Sequence, residues 1–296
     1  MKNGHYFNVA PGIWGMRTVL VNLYMVAAGG QKWILIDTGI PGSAQKIMEM
    51  AEEIFGADNP PEAILMTHGH FDHRGSVQAL LKHWNVPVFA HHLELPYLQG
   101  KENYPDPDPT AGGGLMSAIS FLYPKKPINL GAQVRPLPSN LSVPYLPDWT
   151  YLHTPGHTPG HVSFFRKTDK VLIAGDAFVT IHAESAIDNI TLKRTVSGPP
   201  KYFTPNWISA AFSVKKLRDL RPAVAATGHG LVMRGEALNA GLDALANNFQ
   251  ELAMPKHGRY VAQPYPSEKI SKNTLAGVLA VSAVIGFFVV RSLKQR

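Results

Sequence analysis

The 296-residue chain contains no cysteine. That absence excludes disulfides, thiolate-ligated zinc and thiol nucleophiles together. Also missing is an apolar stretch directly after Met1-Lys2-Asn3-Gly4-His5, so no cleavable export signal is expected at the start. Acidic charge is scarce at the other end. From Lys256 onward seven basic residues face Glu268 alone, and this tail carries nearly all of the formal +7. The remainder is close to neutral, which argues against a nucleic-acid partner. Hydrophobic (45%) and charged (17%) fractions are ordinary for a folded protein, and the length suffices for a large core.

Long hydrophobic runs are few. One, Leu275–Val290, spans sixteen residues with Ser282 as its only polar side chain, between Lys272 and Arg291. As a helix it would extend roughly 24 Å against the ~30 Å core of a bilayer, with Thr274 and the flanking bases lengthening its reach. The expectation is a single C-terminal transmembrane helix at 274–290 that anchors the protein in a membrane. A basic linker (256–273) would precede it and a basic tail (291–296) follow, with the catalytic domain (1–255) on the cytoplasmic side.

Within that domain apolar runs and helical periods alternate. Val19–Val26 and Trp33–Asp37 predict a hairpin across Ala27-Ala28-Gly29-Gly30. Ala44, Ile47, Met48, Ala51, Ile54 and Phe55 mark a helical face with Ser43 as N-cap and Gly56 as stop. Further strands are expected at Ala63–Met66, Pro87–Ala90, Val162–Phe165, Val171–Asp176 and Ala223–Ala226. Helices are expected after Ser76, after the Thr204-Pro205 cap, and from Gly235 to Ala253. Residues 97–147 are rich in proline and glycine. They include one short apolar helix candidate, Leu115–Tyr123, that suits a pocket lining, a membrane contact or a core plug equally.

Thr67-His68-Gly69-His70-Phe71-Asp72-His73-Arg74-Gly75 puts four ligand-type side chains into six positions directly after an apolar strand. Imidazole and carboxylate together suit borderline metals such as zinc, and a loop leaving a strand can turn all four inward. Similar residues recur downstream at strand ends: His157 in Gly156-His157-Thr158-Pro159-Gly160, Asp176 after Gly175, and His229 between Gly228 and Gly230.

In this order and context the set closely resembles the metallo-β-lactamase-fold hydrolases, over about residues 5 to 255. The resemblance implies an α/β fold, a four-layer αββα sandwich, with two divalent metal ions in a cleft at the sheets' edges. Zinc is the first choice, with iron or manganese as alternatives. Carried over by position, it implies that His68, His70 and His157 hold one ion, Asp72, His73 and His229 the other, and Asp176 bridges them. A hydroxide shared by the two ions would attack, with Asp72 orienting it or receiving its proton. Asp37, in the family's Asp-Thr-Gly turn, is open between plain turn formation and support of the metal loop. His153 and His161 are candidates for strand-end or supporting roles, His182 has no assigned role, and His91 and His92 read as strand-end hydrogen-bonding groups.

The family's fold does not choose the substrate. β-Lactamases proper usually lack a carboxylate where Asp176 stands, and acyl-homoserine lactonases place a tyrosine where this chain has Val179. Tyr202, Tyr123 or Tyr151 could take that tyrosine's place in the cleft, and Phe121 and Met116 are further pocket candidates. Lys193, Arg194 and Lys201 are candidates for a glutathione-type carboxylate, or are solvated loop charges. The reading is hydrolysis of an ester-like, lactone or thioester bond in a small molecule, with a hydrophobic acyl substrate favoured by the expected anchor. Phosphodiester cleavage on the same fold and a non-catalytic, membrane-anchored metal-binding adaptor are the alternatives. The Ser43–Lys46 and Ser213–Lys216 matches to a serine-hydrolase pattern sit on expected surface helices.

Overall fold

The computed structural model describes residues 6–265. Strands β1 (Tyr6–Ala10), β2 (Ile13–Thr18), β3 (Val21–Gly29) and β4 (Lys32–Ile36) form an antiparallel meander. α1 (Ala44–Phe55) crosses to β5 (Ala63–Leu65), and α2 (Phe71–Arg74) with α3 (Val77–His83) crosses to β6 (Val88–Ala90), both strands adding in parallel. α4 (Leu95–Leu98) and α5 (Leu115–Ala118) lie in the irregular stretch before β7 (Val134–Pro136), which closes a seven-stranded sheet.

The second sheet contains β8 (Ser142–Val143), β9 (Leu146–His153), β10 (Val162–Arg166), β11 (Val171–Gly175), β12 (Val224–Thr227) and β13 (Met233–Arg234), in the order β13-β12-β11-β10-β9-β8. α6 (Ala186–Thr191) and α7 (Trp207–Asp219) lie in the connection between the parallel pair β11 and β12, and α8 (Gly235–Asn247) follows β13.

Strand side chains alternate between faces, and that alternation builds three apolar interfaces. Leu23, Met25, Trp33 and Leu35 point one way, onto Ile47, Met50, Val77 and Leu80 of α1 and α3. Their neighbours Tyr24, Val26, Ile34 and Ile36 point the other way, onto Leu146, Trp149, Phe164 and Ile173 of the second sheet. Leu172, Ala174 and Phe165 turn to Trp207, Val214, Leu217 and Leu242 of α7 and α8. The layers are therefore αββα. Burial on both faces explains why these strands read as unbroken apolar runs.

Several expectations need correction. β1, β2 and β9 were not anticipated, because Asn8, Gly12, Gly15 and Arg17 interrupt the first two and Pro147 the third. α7 is capped by Asn206, whose side chain accepts from the Ser209 amide, rather than by Thr204. The apolar segment 115–123 is only one helical turn followed by a 3₁₀ turn at Ser120–Leu122. Within the stretch expected as a linker, Tyr260 donates to Asp106 O at 2.6 Å and the Tyr265 amide donates to Pro205 O.

The transmembrane helix expected at 274–290 falls outside the described residues, and among the described residues no helix is long and apolar enough to cross a membrane. The fold class is accordingly corrected to the αββα sandwich that the described residues form, and no transmembrane helix is part of it. The membrane localisation, the membrane as partner and the cytoplasmic orientation built on that helix are withdrawn with it.

Candidate metal centre

The C-terminal ends of β4, β5, β11 and β12 converge where the two sheets meet, and each delivers a polar side chain. β4 ends in Asp37, which adopts a left-handed conformation at φ 60. Its Oδ1 accepts the Thr67 amide at 2.8 Å and its Oδ2 accepts the Thr67 hydroxyl at 2.7 Å, so it fixes the chain as it leaves β5. Beyond Thr67, His68 and His70 line the loop, and the single turn of α2 places Asp72 and His73 on the same side. The loop between β9 and β10 brings His157, β11 brings Asp176, and β12 brings His229.

These side chains form three overlapping groups: His68, His70 and His157; His68, His73 and Asp176; and Asp72, His73 and His229. Within each group the ligand atoms lie within 4.8 Å of one another. His70 Nδ1 is 2.9 Å from His157 Nε2. An Asp176 oxygen, Oδ2, is 3.1 Å from His229 Nε2 and 3.5 Å from both His73 Nε2 and His157 Nε2. Gly228 leaves no room for a side chain here, since a Cβ would lie 1.9 Å from Asp176 Oδ1.

The hydrogen bonds on the far side of each ring settle which nitrogen faces inward. Thr67 donates to Asp37, so its oxygen accepts from His68 Nδ1 at 3.0 Å. His73 Nδ1 donates to Asp37 Oδ2 at 2.8 Å, and His229 Nδ1 donates to Leu20 O at 2.9 Å. Thr204 donates to Pro200 O and accepts from His157 Nδ1 at 3.3 Å. The inward Nε2 of each of these four rings is therefore left to act as a ligand. His68 Nε2, His73 Nε2, Asp72 Oδ1 and Asp176 Oδ1 are buried with no hydrogen-bond partner. Buried polar atoms are normally satisfied, and orphaned donor atoms of the metal-ligating kind, converging on two overlapping positions, suit two divalent cations.

The electrostatics agree. Burial, aided by neighbouring imidazoles, holds His68 and His70 well below the usual histidine pKa, and burial lowers His157 to about 3. The neutral form that a metal-ligating imidazole offers is thereby favoured in these three. At His73 and His229 burial pulls the same way, but the surrounding carboxylates together, Asp176 and Asp72 at both and Asp37 at His73, outweigh it and raise both. Asp176 in turn is held well below the carboxylate range, because His229 and His73 overcome the cost of burying it.

His161 is buried and supports Asp176 from behind. The Asp176 amide donates to His161 Nε2 at 2.9 Å, which leaves Nδ1 as the donor to Thr154 Oγ1. His153 is turned away from the ligand groups: its Nε2 meets Pro159 O and its ring stacks on His91 at 4.1 Å. His182 pairs with Asp188 at the surface. The supporting roles of Thr67, Thr204 and the Leu20 carbonyl were not anticipated, since hydroxyls and carbonyls carry no ligand signature. Only the position of Thr67, beside His68, pointed to it.

A cleft of about 190 Å³ opens onto Asp72 and His229. Val19, Leu20, Val21, Ile40, Phe71, Met116, Tyr123, Ala183, Tyr202 and Phe203 line it, with Asn189 as a further polar group and no lysine or arginine among the lining residues. Of the expected pocket residues, Tyr202, Tyr123 and Met116 are in its wall. Phe121 is 57% exposed and outside it, and Val179 is fully buried in a small cluster with Ile181 and Ala183. Lys201 faces a separate depression beside Gly112–Leu115. Ser213 donates to Pro155 O, and Ser43 packs against Ser76, so neither serine faces the cleft.

Known proteins are similar to this chain in sequence and fold. A sequence profile of the metallo-beta-lactamase superfamily matches residues 16–229. The chain is similar to the probable metallo-hydrolase YflN of Bacillus subtilis, with 41% identity over 254 residues that cover 85% of this chain and 96% of that protein. It is also similar to the hydroxyacylglutathione hydrolase GloC of Haemophilus influenzae, 30% identical over 142 residues covering 48% of this chain and 59% of that one. Among solved structures, the di-iron-bound form of TTHA1623 aligns with a TM-score of 0.52 at 26% identity, covering 79% of this chain and 98% of that chain. The chain thus belongs to the metallo-beta-lactamase superfamily, as one of its metallo-hydrolases.

Proposed function

We propose that the protein hydrolyses an ester-like, lactone or thioester bond in a small, uncharged molecule with an apolar acyl group. The observation that carries this reading is the cleft, whose largely apolar wall, with no lysine or arginine among the described residues that line it, opens directly onto Asp72 and His229. The flanking phosphates of a nucleic-acid substrate would need positive partners along that wall, which disfavours a nucleic-acid phosphodiester. The GloC likeness supports a thioester, and the absence of lysine and arginine among the described lining residues favours one without a carboxylate to be held there.

His68, His70 and His157 would hold one metal, Asp72, His73 and His229 the other, with Asp176 shared between them. When bound, two such ions, zinc in the first instance, lower the pKa of water toward neutrality and polarise the carbonyl under attack. Asp72 would hold its ion through one carboxylate oxygen, and the other would be placed to take up the proton released. Tyr202 lies in the same wall. Burial holds its phenol well above the usual pKa and Asp72 adds to that, so it remains a hydrogen-bond donor toward charge developing on the substrate oxygen. In this reading Tyr202 serves where a lactonase tyrosine would have stood at Val179.

An activity screen of the zinc-loaded chain against acyl thioesters, carboxyl esters, lactones and phosphodiesters tests the proposal. Turnover should be highest on neutral carbonyl substrates with apolar acyl groups. Faster cleavage of phosphodiesters than of every carbonyl substrate would overturn it.

A further inference from the structure

Glu94 is fully buried, belongs to none of the ligand groups, and sits in the 3₁₀ turn His92–Glu94 that follows β6. Its carboxylate nevertheless reaches both loops that carry the His68, His70 and His157 group. Oε2 accepts the Gly69 amide at 3.0 Å and a short hydrogen bond from the Tyr104 hydroxyl. Oε1 accepts the Thr158 hydroxyl at 2.7 Å and the Gly160 amide at 2.8 Å. Gly69 lies between His68 and His70, and Thr158 follows His157 directly. One carboxylate therefore ties together the two segments whose histidines converge. It makes no hydrogen bond to Asp72, His73 or His229.

The steric evidence is independent of the hydrogen bonds. Gly69 and Gly160 have no positive φ that would demand glycine, yet a Cβ at Gly160 would lie 2.8 Å from Glu94 Cγ, and one at Gly69 would lie 2.6 Å from the Tyr104 hydroxyl. Both glycines make room for the clamp. Tyr104 extends it to a ligand ring, packing edge-on against His70 with centroids 4.7 Å apart.

We propose that Glu94 is a positioning residue that holds the His68/His70/His157 group in ligating geometry, and so sets the metal affinity of that group independently of the other. The inference rests on the ligand assignment proposed above but on no particular substrate. Its chemistry is specific to a carboxylate. Each oxygen faces one peptide N–H, which cannot reverse, and one hydroxyl, which can. In Glu94→Gln the amide NH₂ must face a peptide N–H whichever way it is flipped, so one main-chain donor beside a ligand histidine loses its acceptor. Burial raises the Glu94 pKa while its four donors oppose the rise.

The test measures metal binding directly, by chelator competition and by the visible spectrum of the cobalt(II)-loaded full chain. The melting temperature of the chelator-stripped protein serves as a control for folding. Glu94→Gln should weaken one of two metal equivalents by about 10–100-fold and shift the cobalt spectrum, leaving the other equivalent within about twofold. Tyr104→Phe and Thr158→Val, each removing one donor, should weaken the same equivalent to a lesser degree, and they decide the matter if the Gln variant does not fold. Unchanged affinities, or equal weakening of both equivalents, would overturn the proposal. A wild-type chain binding fewer than two metals would instead count against the ligand assignment, and failure of the substrate screen would bear on neither.

Discussion

At the scale of the residue, Asp72 separates chemistry from folding. It lies on a single helical turn and faces the cleft with Oδ1 unpartnered. Asp72→Asn keeps the shape and removes the proton acceptor, so kcat should fall by about 10²–10⁴-fold while the melting temperature changes little. Retained turnover in the Asn variant would exclude Asp72 from proton transfer. Tyr202→Phe removes a hydroxyl but leaves the ring in the cleft wall. Steady-state kinetics should show kcat reduced by about 10²-fold with KM nearly unchanged, whereas a rise in KM alone would make Tyr202 a binding residue only.

At the scale of the element, four strand ends must arrive at one point, and close backbone approach is what permits it. The turn after β12 passes so near Asp176 that a methyl group at Gly228 would overlap its carboxylate. Gly228→Ala should lower the number of metal equivalents bound per chain and the melting temperature of the loaded protein. If both stayed at wild-type values, the β12 turn would have to be more yielding than its packing suggests. Elements also explain what could be read in advance. The gathering of His68, His70, Asp72 and His73 was legible because this loop concentrates ligand-type residues in a few positions after an apolar strand. The cleft wall was not, because Val19, Ile40, Met116, Ala183 and Tyr202 come from separate connections with no shared period. Val179 illustrates the limit: alignment by motif gave it the lactonase tyrosine's place, yet its side chain points into a small apolar cluster.

At the scale of the whole molecule, apolar strand runs alternating with one-faced helices made a layered α/β arrangement legible, while the αββα order came from the resemblance carried by the ligand motifs. β1, β2 and β9 escaped notice because Asn8, Gly12, Gly15 and Arg17 in and between the first two, and Pro147 within the third, blur the period-two pattern. The fold's acid stability should carry a mark of its buried histidines. His91, outside the ligand groups, is lowered to about 3 by burial and by His153 and His92, and Tyr151 also faces it. Its folded pKa lies below the unfolded value of about 6.5, so the unfolded chain binds the extra proton. The contribution is complete above pH 6.5 and is lost as pH falls toward 3, by up to about 1 kcal/mol per pH unit. Denaturant unfolding at pH 7 and pH 5 should show a smaller loss of stability in His91→Gln than in wild type, and equal losses would place the acid sensitivity elsewhere.

The central claim is that seven converging side chains hold two metal ions on which hydrolysis depends. Elemental analysis of the purified chain, paired with turnover before and after chelation, tests it most directly. The account predicts close to two metal equivalents per chain, with activity abolished on stripping and restored on reloading. An essentially metal-free protein with undiminished turnover would contradict it.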